Sequence, residues 1–401
     1  MAAAVTTERA DVLVIGAGLA GVAVAYHLAA RHVGPIVAFE ASTPAAGATG
    51  RAAGIVSEQL WDRWDVEVVR ESREEYADLA RRVVPGAYRV NGFVRWTAHE
   101  GIAAALRARS AELRSWGVDA RDVDGGAVGD LVPGLRADDL RAGSYAPGDA
   151  VIAPSTLAEA YGAEGRALGV GWRLASPISR LEGGPRAWSV TVRGVTYNAP
   201  AVVVAAGAWT KRLLAASGLP LPLAPYRTQA AVLRRPEGFP ASLPSFHDLD
   251  TDVYGRPEEN GRLLAGDGTE RHETDPETYV PTGDDAFVAH LAECFEHRFP
   301  GWSETTVVRA WAGVCTATPD RRPLVGPVPS AEGLYVITGF NGFGVMRAAG
   351  AARRLAEVVA AGGTEAGPRL APVDPGRFSG PAVPFAPKPG FTLQGGPDAP
   401  F

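Results

Sequence analysis

The sequence predicts an α/β fold built around a parallel sheet, and two segments far apart in the chain indicate it. Near the start, DVLVIGAGLAG combines a short apolar strand over 11–15 with a glycine-rich turn, and an alanine-rich helix follows to about Arg31. Much later, a strand over 334–338 runs into GFNGFG and a helix to about Val359. Strands followed by helices are typical of βαβ units, whose parallel strands are buried on both faces.

The first glycine-rich turn has the spacing of a dinucleotide-binding site. Gly16 permits a tight turn, Gly18 lets the backbone approach a pyrophosphate, and Gly21 allows the helix to pack closely on the strand. A second strand, over 35–39, ends at Glu40. An acidic residue at that point can accept hydrogen bonds from both ribose hydroxyls of an adenosine, and it disfavours the 2′-phosphate of NADP.

Three later segments favour FAD over NAD. The loop ASTPAAGATGRAAGIVS over 41–57 is rich in small residues whose backbone amides can converge on a ligand, and its Arg51 can offset negative charge. The segment APAVVVAAGAWT over 199–210 reads as the middle strand of a parallel sheet. The turn over 339–344 is a second glycine-rich turn at the start of a helix. A ligand that contacts both turns must be long, as FAD is.

We therefore expect FAD to lie against the three glycine-rich and alanine-rich segments. The predicted cofactor-binding residues are Gly16, Ala17, Gly18, Leu19, Ala20, Glu40, Ala41, Thr49, Gly50, Arg51, Ala53, Gly54, Ile178, Ala206, Gly207, Trp209, Gly313, Gly342, Phe343, Gly344, Val345 and Met346.

Five motifs in a fixed order resemble the family of FAD-dependent amine oxidoreductases that includes D-amino-acid oxidase, sarcosine oxidase and glycine oxidase. They are the glycine-rich start, the ATGRAAG loop, the VVVAAGAW strand, the TPDRRPLVGP turn and the GFNGFGVM finish. The resemblance covers the chain from about Ala10 to Val359. It implies a Rossmann-like FAD-binding domain of the glutathione-reductase-like type, with an inserted α+β substrate domain whose sheet is mainly antiparallel.

The resemblance also implies domain bounds. The FAD-binding domain would comprise 1–85, 150–218 and 318–366, and the substrate domain 86–149 and 219–317. The pattern within these ranges agrees, since 72–83 and 100–117 are amphipathic helices and 226–268 contains short strands with turn residues between them. We expect the remaining segment, 367–401, to be a poorly ordered extension because it is rich in proline and glycine.

Cys315, one of two cysteines, raises the question of a covalent flavin. In monomeric sarcosine oxidases the flavin-bearing cysteine precedes the TPD turn at the position that Gly313 occupies here. We therefore predict non-covalent FAD. In glycine oxidases an arginine that binds the substrate carboxylate stands at the position of Cys315, so we interpret Cys315 as a small residue lining the pocket near the flavin. No histidine or lysine beside it in the sequence would lower its pKa, which disfavours a nucleophilic role.

The other familiar carboxylate-binding residue is missing too. Sarcosine oxidases use a lysine at the position of Met346, and the lysine that promotes their reaction with oxygen is replaced by leucine within 261–266. A buried carboxylate needs a cation or several donors. Three arginines are candidates: Arg256, which could equally be a surface turn residue, Arg51, which flavin binding could occupy, and Arg347, which we expect to face solvent.

The remaining candidates are aromatic. Tyr254 matches a substrate-facing tyrosine of the family, although a core tyrosine in a strand is the alternative. Phe343 is expected near the flavin ring. Trp61 and Trp64 could roof a pocket or form the core stripe of a helix. The predicted catalytic and substrate-site residues are Tyr254, Arg256, Arg51, Cys315 and Phe343.

The resemblance implies oxidation of the C–N bond of an amino acid or secondary amine, with hydride transfer to flavin, hydrolysis of the imine and O2 as acceptor. The missing carboxylate-binding residues favour an N-substituted glycine, another secondary amine, or a larger specialised amino acid whose carboxylate is bound differently. Two alternatives stay open. The chain could be the flavin-binding subunit of a heteromeric oxidase or dehydrogenase that passes electrons to a partner, or a flavoprotein without turnover.

Composition narrows the partners and the compartment. The net charge is −6 with no basic block, which argues against nucleic acid. Two cysteines outside any CxxC pattern fit a reducing cytoplasm. The apolar run over 12–30 is long enough to span a bilayer, but its glycines have the nucleotide-binding spacing, so we expect no membrane insertion. No HExxH pattern is present, and we expect no metal site.

Overall fold

The computed structural model describes residues 6–236, 239–240, 242–258, 261–272, 274–302 and 306–386. The strands are β1 Thr6–Arg9, β2 Val12–Ile15, β3 Ile36–Phe39, β4 Ile55–Val56, β5 Tyr88–Val90, β6 Phe93–Thr97, β7 Arg121–Val123, β8 Ala142–Ala146, β9 Ala150–Ile152, β10 Gly171–Arg173, β11 Glu182–Gly184, β12 Ala187–Val192, β13 Val195–Ala199, β14 Ala201–Val204, β15 Ala224–Arg234, β16 Ser245–Asp248, β17 Val253–Glu258, β18 Arg262–Gly266, β19 Arg271–His272, β20 Val307–Ala317, β21 Leu324–Pro327 and β22 Leu334–Thr338. The helices are α1 Leu19–Ala30, α2 Arg63–Arg82, α3 Glu100–Ser115, α4 Gly125–Leu131, α5 Pro154–Ala167, α6 Thr210–Ala216, α7 Asp285–Arg298 and α8 Gly344–Ala360.

A six-stranded sheet in the order β10-β3-β2-β14-β22-β21 forms the centre of the cofactor half of the molecule. All neighbouring strands are parallel except β21 and β22. The strands of the two glycine motifs, β2 and β22, lie on either side of β14, so the two turns leave the same edge of the sheet. The predicted parallel sheet is confirmed.

This sheet is buried on both faces, which explains its uninterrupted apolar strands. One face packs on α1 and α8, and α5 and α2 pack on these two helices in turn. Val14 and Val203 belong to the apolar cluster formed there, which we call the helical core. The other face packs on β12 and β13, and Leu13, Val204 and Trp188 belong to one apolar cluster there. The helix α1 is alanine-rich and buried on most sides because it lies between the sheet and α5 and α8.

A second, larger sheet has the order β19-β15-β18-β17-β16-β6-β8-β7, with β20 paired to β15. Its pairs are antiparallel apart from β6 with β16. Along β6, Val94 and Trp96 face a core covered by α4 and α7, while Phe93 and Arg95 face the opposite side. The predicted mixed fold, with a mainly antiparallel second sheet, is confirmed. The domain bounds given above stay a proposal.

The amphipathic helix predicted over 72–83 is longer than the pattern indicated. It begins at Arg63, because the side chain of Asp62 accepts a hydrogen bond from the backbone N–H of Asp65 and caps the first turn.

The prediction of a poorly ordered extension was wrong for residues 367–378, and it stays a prediction for the exposed residues 379–385. Leu370 and Val373 are buried against the helical core, and Asp374 caps a short 3-10 turn. The carbonyl of Arg369 accepts a hydrogen bond of 2.8 Å from Trp64 Nε1. A few apolar residues among the prolines are therefore enough to fasten this segment. Residues 387–401 lie outside the described residues.

Within the described ranges, no helix has both the length and the apolar character that crossing a membrane requires.

Candidate functional site

A cavity of about 1720 Å³ lies between the edge of the central sheet where both glycine turns emerge and the open face of the antiparallel sheet. It is larger than the 300–1,000 Å³ of an ordinary small-molecule pocket. Residues of both glycine turns line it, together with residues of β6, β16, β17 and β20. The cavity therefore has room for a long ligand and for a small molecule beside it.

The first glycine turn cannot accept larger residues. Gly16 has a φ of +109°, and a Cβ there would come within 2.4 Å of the carbonyl oxygen of Ala205. A Cβ on Gly21 would come within 2.0 Å of the carbonyl oxygen of Gly16. The turn thus holds β2, β14 and the start of α1 in close contact.

The helix α1 begins beside the cavity with Gly18 as its N-cap residue, which offers no side-chain cap. The N–H of Leu19 donates to Thr49 Oγ1 at 3.0 Å, so the following loop supplies one cap. The other N–H groups of a first helical turn have no intrahelical partner, and the helix dipole favours an anion there.

Glu40 lines the cavity at the end of β3. Its carboxylate oxygens accept hydrogen bonds of 2.8 Å from the backbone N–H groups of Ala17 and Ser42. Each carboxylate oxygen can accept a second hydrogen bond. The geometry is therefore compatible with the predicted contact to ribose hydroxyls, and Ala17 serves to hold Glu40 in place.

Arg51 lies in the loop that follows. Its guanidinium donates to the carbonyl oxygens of Ala46 and, at 3.1 Å, Gly47. Trp311 Nε1 donates to the carbonyl oxygen of Arg51 at 3.0 Å. A Cβ on Gly313 would meet the Arg51 side chain at 3.2 Å. The loop is thus fixed against β20, and glycine at 313 leaves room for the arginine.

The second glycine turn is tied to the TPD turn. The Asn341 side chain accepts from the N–H of Thr318 at 3.1 Å and donates to the carbonyl of Gly339 at 2.7 Å. The helix α8 then begins at Gly344, and its N-cap residue, Phe343, provides no side-chain cap. A second helix N-terminus with available N–H groups therefore lies beside the cavity.

These features fit FAD. Two helix N-termini lack a side-chain cap of their own, glycines bring backbone close to the cavity, and one cavity is lined by both glycine turns. Nearly all of the predicted cofactor residues line it: Gly16, Gly18, Leu19, Ala20, Glu40, Ala41, Thr49, Arg51, Ala53, Gly54, Ile178, Ala206, Gly207, Trp209, Gly313, Gly342, Phe343, Gly344, Val345 and Met346. Two do not, Ala17 and Gly50. The N–H of Ala17 donates to Glu40, and Gly50 packs closely on the carbonyl oxygen of Ala45.

Tyr254 and Cys315 line the same cavity on the antiparallel sheet. The Tyr254 ring lies over Gly266, where a Cβ would come within 2.3 Å of the tyrosine oxygen. Burial raises the pKa of Tyr254, so its hydroxyl stays protonated at neutral pH. Burial also raises the pKa of the Cys315 thiol to about 11, with its hydrogen bond to Tyr226 opposing the rise. A thiol with that pKa is a poor nucleophile at neutral pH.

Of the two tryptophans that could line a pocket or form the core stripe of a helix, each takes one of these positions. Trp61 lines the cavity and meets Phe343 edge-to-face, with ring centroids 4.5 Å apart. Trp64 is buried in the helical core. Trp61 and Phe343 therefore form an aromatic wall, and Trp64 belongs to the core stripe of α2.

The expectation that Arg347 faces solvent was wrong. It is 1% exposed, and its Nε lies 2.9 Å from Asp65 Oδ1. The first turn of α8 packs on α2, which encloses the arginine behind Trp61 and Phe343. Burial raises the pKa of Asp65 to about 6, although the charge of Arg347 opposes the rise. This pair is adjacent to the aromatic wall, and only its aspartate lines the cavity.

Arg256 is separated from the other predicted substrate-site residues. Its Nη2 donates to Glu258 at 2.8 Å, and it is not among the residues that line the cavity, although Tyr254 two positions earlier is. Burial lowers the pKa of Arg256. The structure thus brings together Tyr254, Arg51, Cys315 and Phe343 around the cavity. Arg256 lies outside it and is paired with Glu258.

Sequence reasoning missed Arg95, His247 and Gln59, which all line the cavity. Gln59 donates to the carbonyl of Phe93 at 3.0 Å and accepts from Ser144 Oγ at 3.0 Å. The alternation in FVRWT carried a signal for Arg95, because a strand with Val94 and Trp96 in the core must point Arg95 the other way. The sequence did not reveal what covers that other face.

The fold and cavity fit a flavin-binding protein, and comparison gives the family. The family model for DAO, the FAD dependent oxidoreductases, matches residues 11–358. The chain therefore belongs to the DAO family of FAD-dependent oxidoreductases, and the predicted cofactor is confirmed. 

Three relatives illustrate the likeness. Glycine oxidase of Pseudomonas putida is 30% identical over 340 residues, covering 82% of this chain and 88% of that protein. Mitochondrial dimethylglycine dehydrogenase of Rattus norvegicus is 26% identical over 394 residues, covering 92% of this chain but 45% of that protein. The structure of L-proline dehydrogenase from P. horikoshii superposes with a TM-score of 0.85 at 22% identity, covering 93% and 98% of the two chains. The chain thus spans less than half the length of the dehydrogenase from Rattus norvegicus.

Proposed function

We propose that this protein oxidises the C–N bond of an amino acid or N-substituted amino acid. Bound FAD would supply the two-electron acceptor for the hydride on the carbon next to nitrogen. The resulting imine would be hydrolysed to a carbonyl compound and an amine, and O2 would be the final electron acceptor. The names of the three relatives support the substrate class, since each contains an amino acid or a methylated amino acid.

The observation that carries this proposal is a single cavity shared by two kinds of surface. One side presents the helix N-termini and glycine turns that fit FAD, and the other presents side chains of the antiparallel sheet. A small molecule on that sheet would lie beside the cofactor rather than in a separate site. This arrangement supports direct transfer of hydride from substrate to cofactor.

The chain's own residues would orient the substrate and exclude water. The protonated hydroxyl of Tyr254 can donate a hydrogen bond to a substrate oxygen. Trp61 and Phe343 provide an apolar wall, which strengthens electrostatic contacts inside the cavity. The α8 N-terminus favours negative charge placed against it. A strong base is unnecessary if the amine binds in its neutral form.

The test is anaerobic bleaching of the flavin absorbance in the purified holoprotein. The panel comprises glycine, sarcosine, longer N-alkyl and N-carboxymethyl amines, proline, D- and L-amino acids, and simple amines. We expect bleaching by one class of amino acid, with the matching carbonyl compound as product. Admitting air should restore the colour if O2 is the acceptor.

The alternatives give different results in the same experiment. Bleaching that air does not reverse, but an artificial electron acceptor does, would support a dehydrogenase that delivers electrons to a partner. One relative, of which this chain covers 45%, is named as a dehydrogenase, which supports testing that alternative. A protein with bound FAD that no member of the panel bleaches would contradict the proposed activity.

A further inference from the structure

The cavity is lined by several arginines, and most of them are already paired. Arg51 donates to backbone carbonyls of its own loop. The others with carboxylate partners are Arg109 with Glu112, Arg212 with Glu277, Arg321 with Glu270, and Arg322 with Asp62. Arg95 differs from all of these, because it has neither a hydrogen bond nor an ion pair with any residue in the described ranges.

Alternation along β6 directs the Arg95 side chain to the cavity side of the sheet. Its neighbours Val94 and Trp96 are fully buried in the core on the other face of the sheet. Its guanidinium lies 5.2 Å from the centroid of the Phe93 ring, and its Nε is buried without a hydrogen-bond partner among the described residues. Burial lowers the pKa of Arg95 to about 10, so it remains a cation at neutral pH.

The carboxylates that act on Arg95 through space are engaged elsewhere. Asp149 accepts hydrogen bonds from Ser57 Oγ at 2.6 Å and from the N–H of Glu58 at 3.1 Å. Asp252 lies 2.7 Å from His247 Nε2. A half-buried cation without a direct counter-ion among the described residues is costly, and a carboxylate bound to it would offset that cost.

Strand register puts Arg95 in line with the predicted substrate-facing tyrosine. Arg95 pairs with His247 across β6 and β16, and His247 pairs with Tyr254 across β16 and β17. Residues opposite each other in a sheet point to the same face, and neighbouring strands lie about 4.8 Å apart. Arg95, His247 and Tyr254 therefore form a polar row across the cavity side of the sheet, with backbones about 10 Å apart at its ends.

We propose that Arg95 binds the carboxylate of the substrate, with His247 and Tyr254 contacting the substrate along the rest of the polar row. This inference rests on the proposed function and identifies the residue that would recognise the carboxylate of its substrates. It also identifies a cation on a strand from a different part of the chain, at a site where positions 315 and 346 carry a cysteine and a methionine. Neutral amines should bind poorly.

The first test uses ligand binding to the holoprotein, without requiring turnover. Benzoate and its neutral counterpart benzamide would be titrated while the visible spectrum of the flavin is followed. The variants are Arg95→Met, Arg95→Lys and the control Arg121→Met. Arg121 lies on β7 of the same sheet, is exposed and paired with Asp119, and does not line the cavity.

We expect Arg95→Met to weaken benzoate binding by about 30-fold or more, as loss of a buried charge partner does. Benzamide binding should change by less than about 3-fold, and Arg121→Met should leave both ligands unaffected. Arg95→Lys keeps the charge but loses the planar fork, so it should bind benzoate with intermediate affinity. Equal flavin content would show that each variant is folded. If Arg95→Met does not retain FAD, the benzoate affinity of Arg95→Lys relative to the wild type tests the inference.

Two results would overturn the inference: wild-type protein that binds benzoate no better than benzamide, or benzoate affinity that is the same with and without the Arg95 guanidinium. Turnover separates this inference from the proposed function. If wild-type flavin is bleached equally by simple amines and amino acids, C–N oxidation stands and the role of Arg95 fails. If nothing bleaches but Arg95→Met still abolishes benzoate binding, the anion site stands and the oxidation fails.

Discussion

The cofactor side and the substrate side of the cavity are built in opposite ways. On the cofactor side the backbone provides the surface: two helix N-termini, and glycines such as Gly16 whose Cβ would collide with Ala205. On the substrate side, side chains at the polar row provide it, carried on strands from distant parts of the chain. A backbone surface leaves a motif in the sequence, whereas a side-chain surface depends on which strands become neighbours.

Because of this difference, family motifs predict the cofactor-binding backbone better than the substrate-binding side chains. The resemblance implies carboxylate-binding residues at positions 315 and 346, yet these positions carry Cys and Met here. The surrounding backbone is nevertheless compatible with FAD. If Arg95 binds the substrate carboxylate as proposed, this cavity keeps its cofactor surface while its substrate-binding cation lies on another strand.

The largest expected effect breaks the cofactor side. Gly16→Ala places a Cβ 2.4 Å from a carbonyl oxygen at a φ of +109°, where an L side chain is itself unfavourable by roughly 1–2 kcal/mol. We expect the purified variant to retain less than about a tenth of the wild-type flavin, measured as visible flavin absorbance relative to protein. Gly162→Ala, in α5 with open space around it, is the matched control and should keep its flavin. Full flavin content in Gly16→Ala would show that the turn does not need glycine.

A smaller effect is expected from the substrate side. Tyr254→Phe removes one hydroxyl donor from the polar row and leaves the ring. We expect kcat/KM for the best substrate to fall about 3-fold to 10-fold, the value of one hydrogen bond, with flavin content unchanged. Tyr145→Phe, on β8 of the same sheet and outside the cavity, is the control. If both variants lose activity equally, Tyr254 has no special contact with substrate.

The stability of the fold should depend on pH through Asp65, which lines the cavity. Its native pKa of about 6 lies above the ordinary value near 4. Between these values the folded protein holds a proton that the unfolded chain has released, so this group's contribution to stability falls as pH rises from about 4 to about 6. Asp65→Asn lacks this titration.

The melting temperatures of Asp65→Asn and the wild type, measured across this pH range, should therefore not change in parallel. The variant should gain a few degrees relative to the wild type as pH rises from about 4 to about 6. Losing the contact with Arg347 should shift the melting temperature of the variant by a constant amount, which does not affect how the difference between the two proteins changes with pH. Parallel curves would mean that Asp65 titrates normally despite its burial.

The smallest effect is expected at Cys315. Acid precipitation of the wild type should leave the flavin in the supernatant, because FAD is predicted to be non-covalent. Cys315→Ser should then retain flavin within about 20% of the wild type, since the thiol with its raised pKa contributes mainly packing. Flavin that stays in the pellet of the wild type, and leaves it in Cys315→Ser, would establish the covalent link that we predict to be absent.

Much of the cofactor side was predictable because its requirements are local. The strand before Gly16, the helix after it and the strand over 334–338 all follow from short patterns of apolar residues and glycines. Glu40 was predictable from its distance along the chain. The prediction for Arg347 failed because a solvent-facing position depends on what packs against the helix, and here α2 does.

The sequence by itself thus determined the parallel sheet, the two glycine turns and the cofactor, since each depends on residues that are close together in the chain. The tertiary structure alone decided that the Arg95 side chain lies in the cavity without a hydrogen bond or ion pair among the described residues, that Trp61 lines the cavity while Trp64 does not, and that Leu370 and Val373 pack on the helical core. Those outcomes depend on strand register and on contacts between distant segments, which burial and hydrogen bonding fix only when the whole chain has folded.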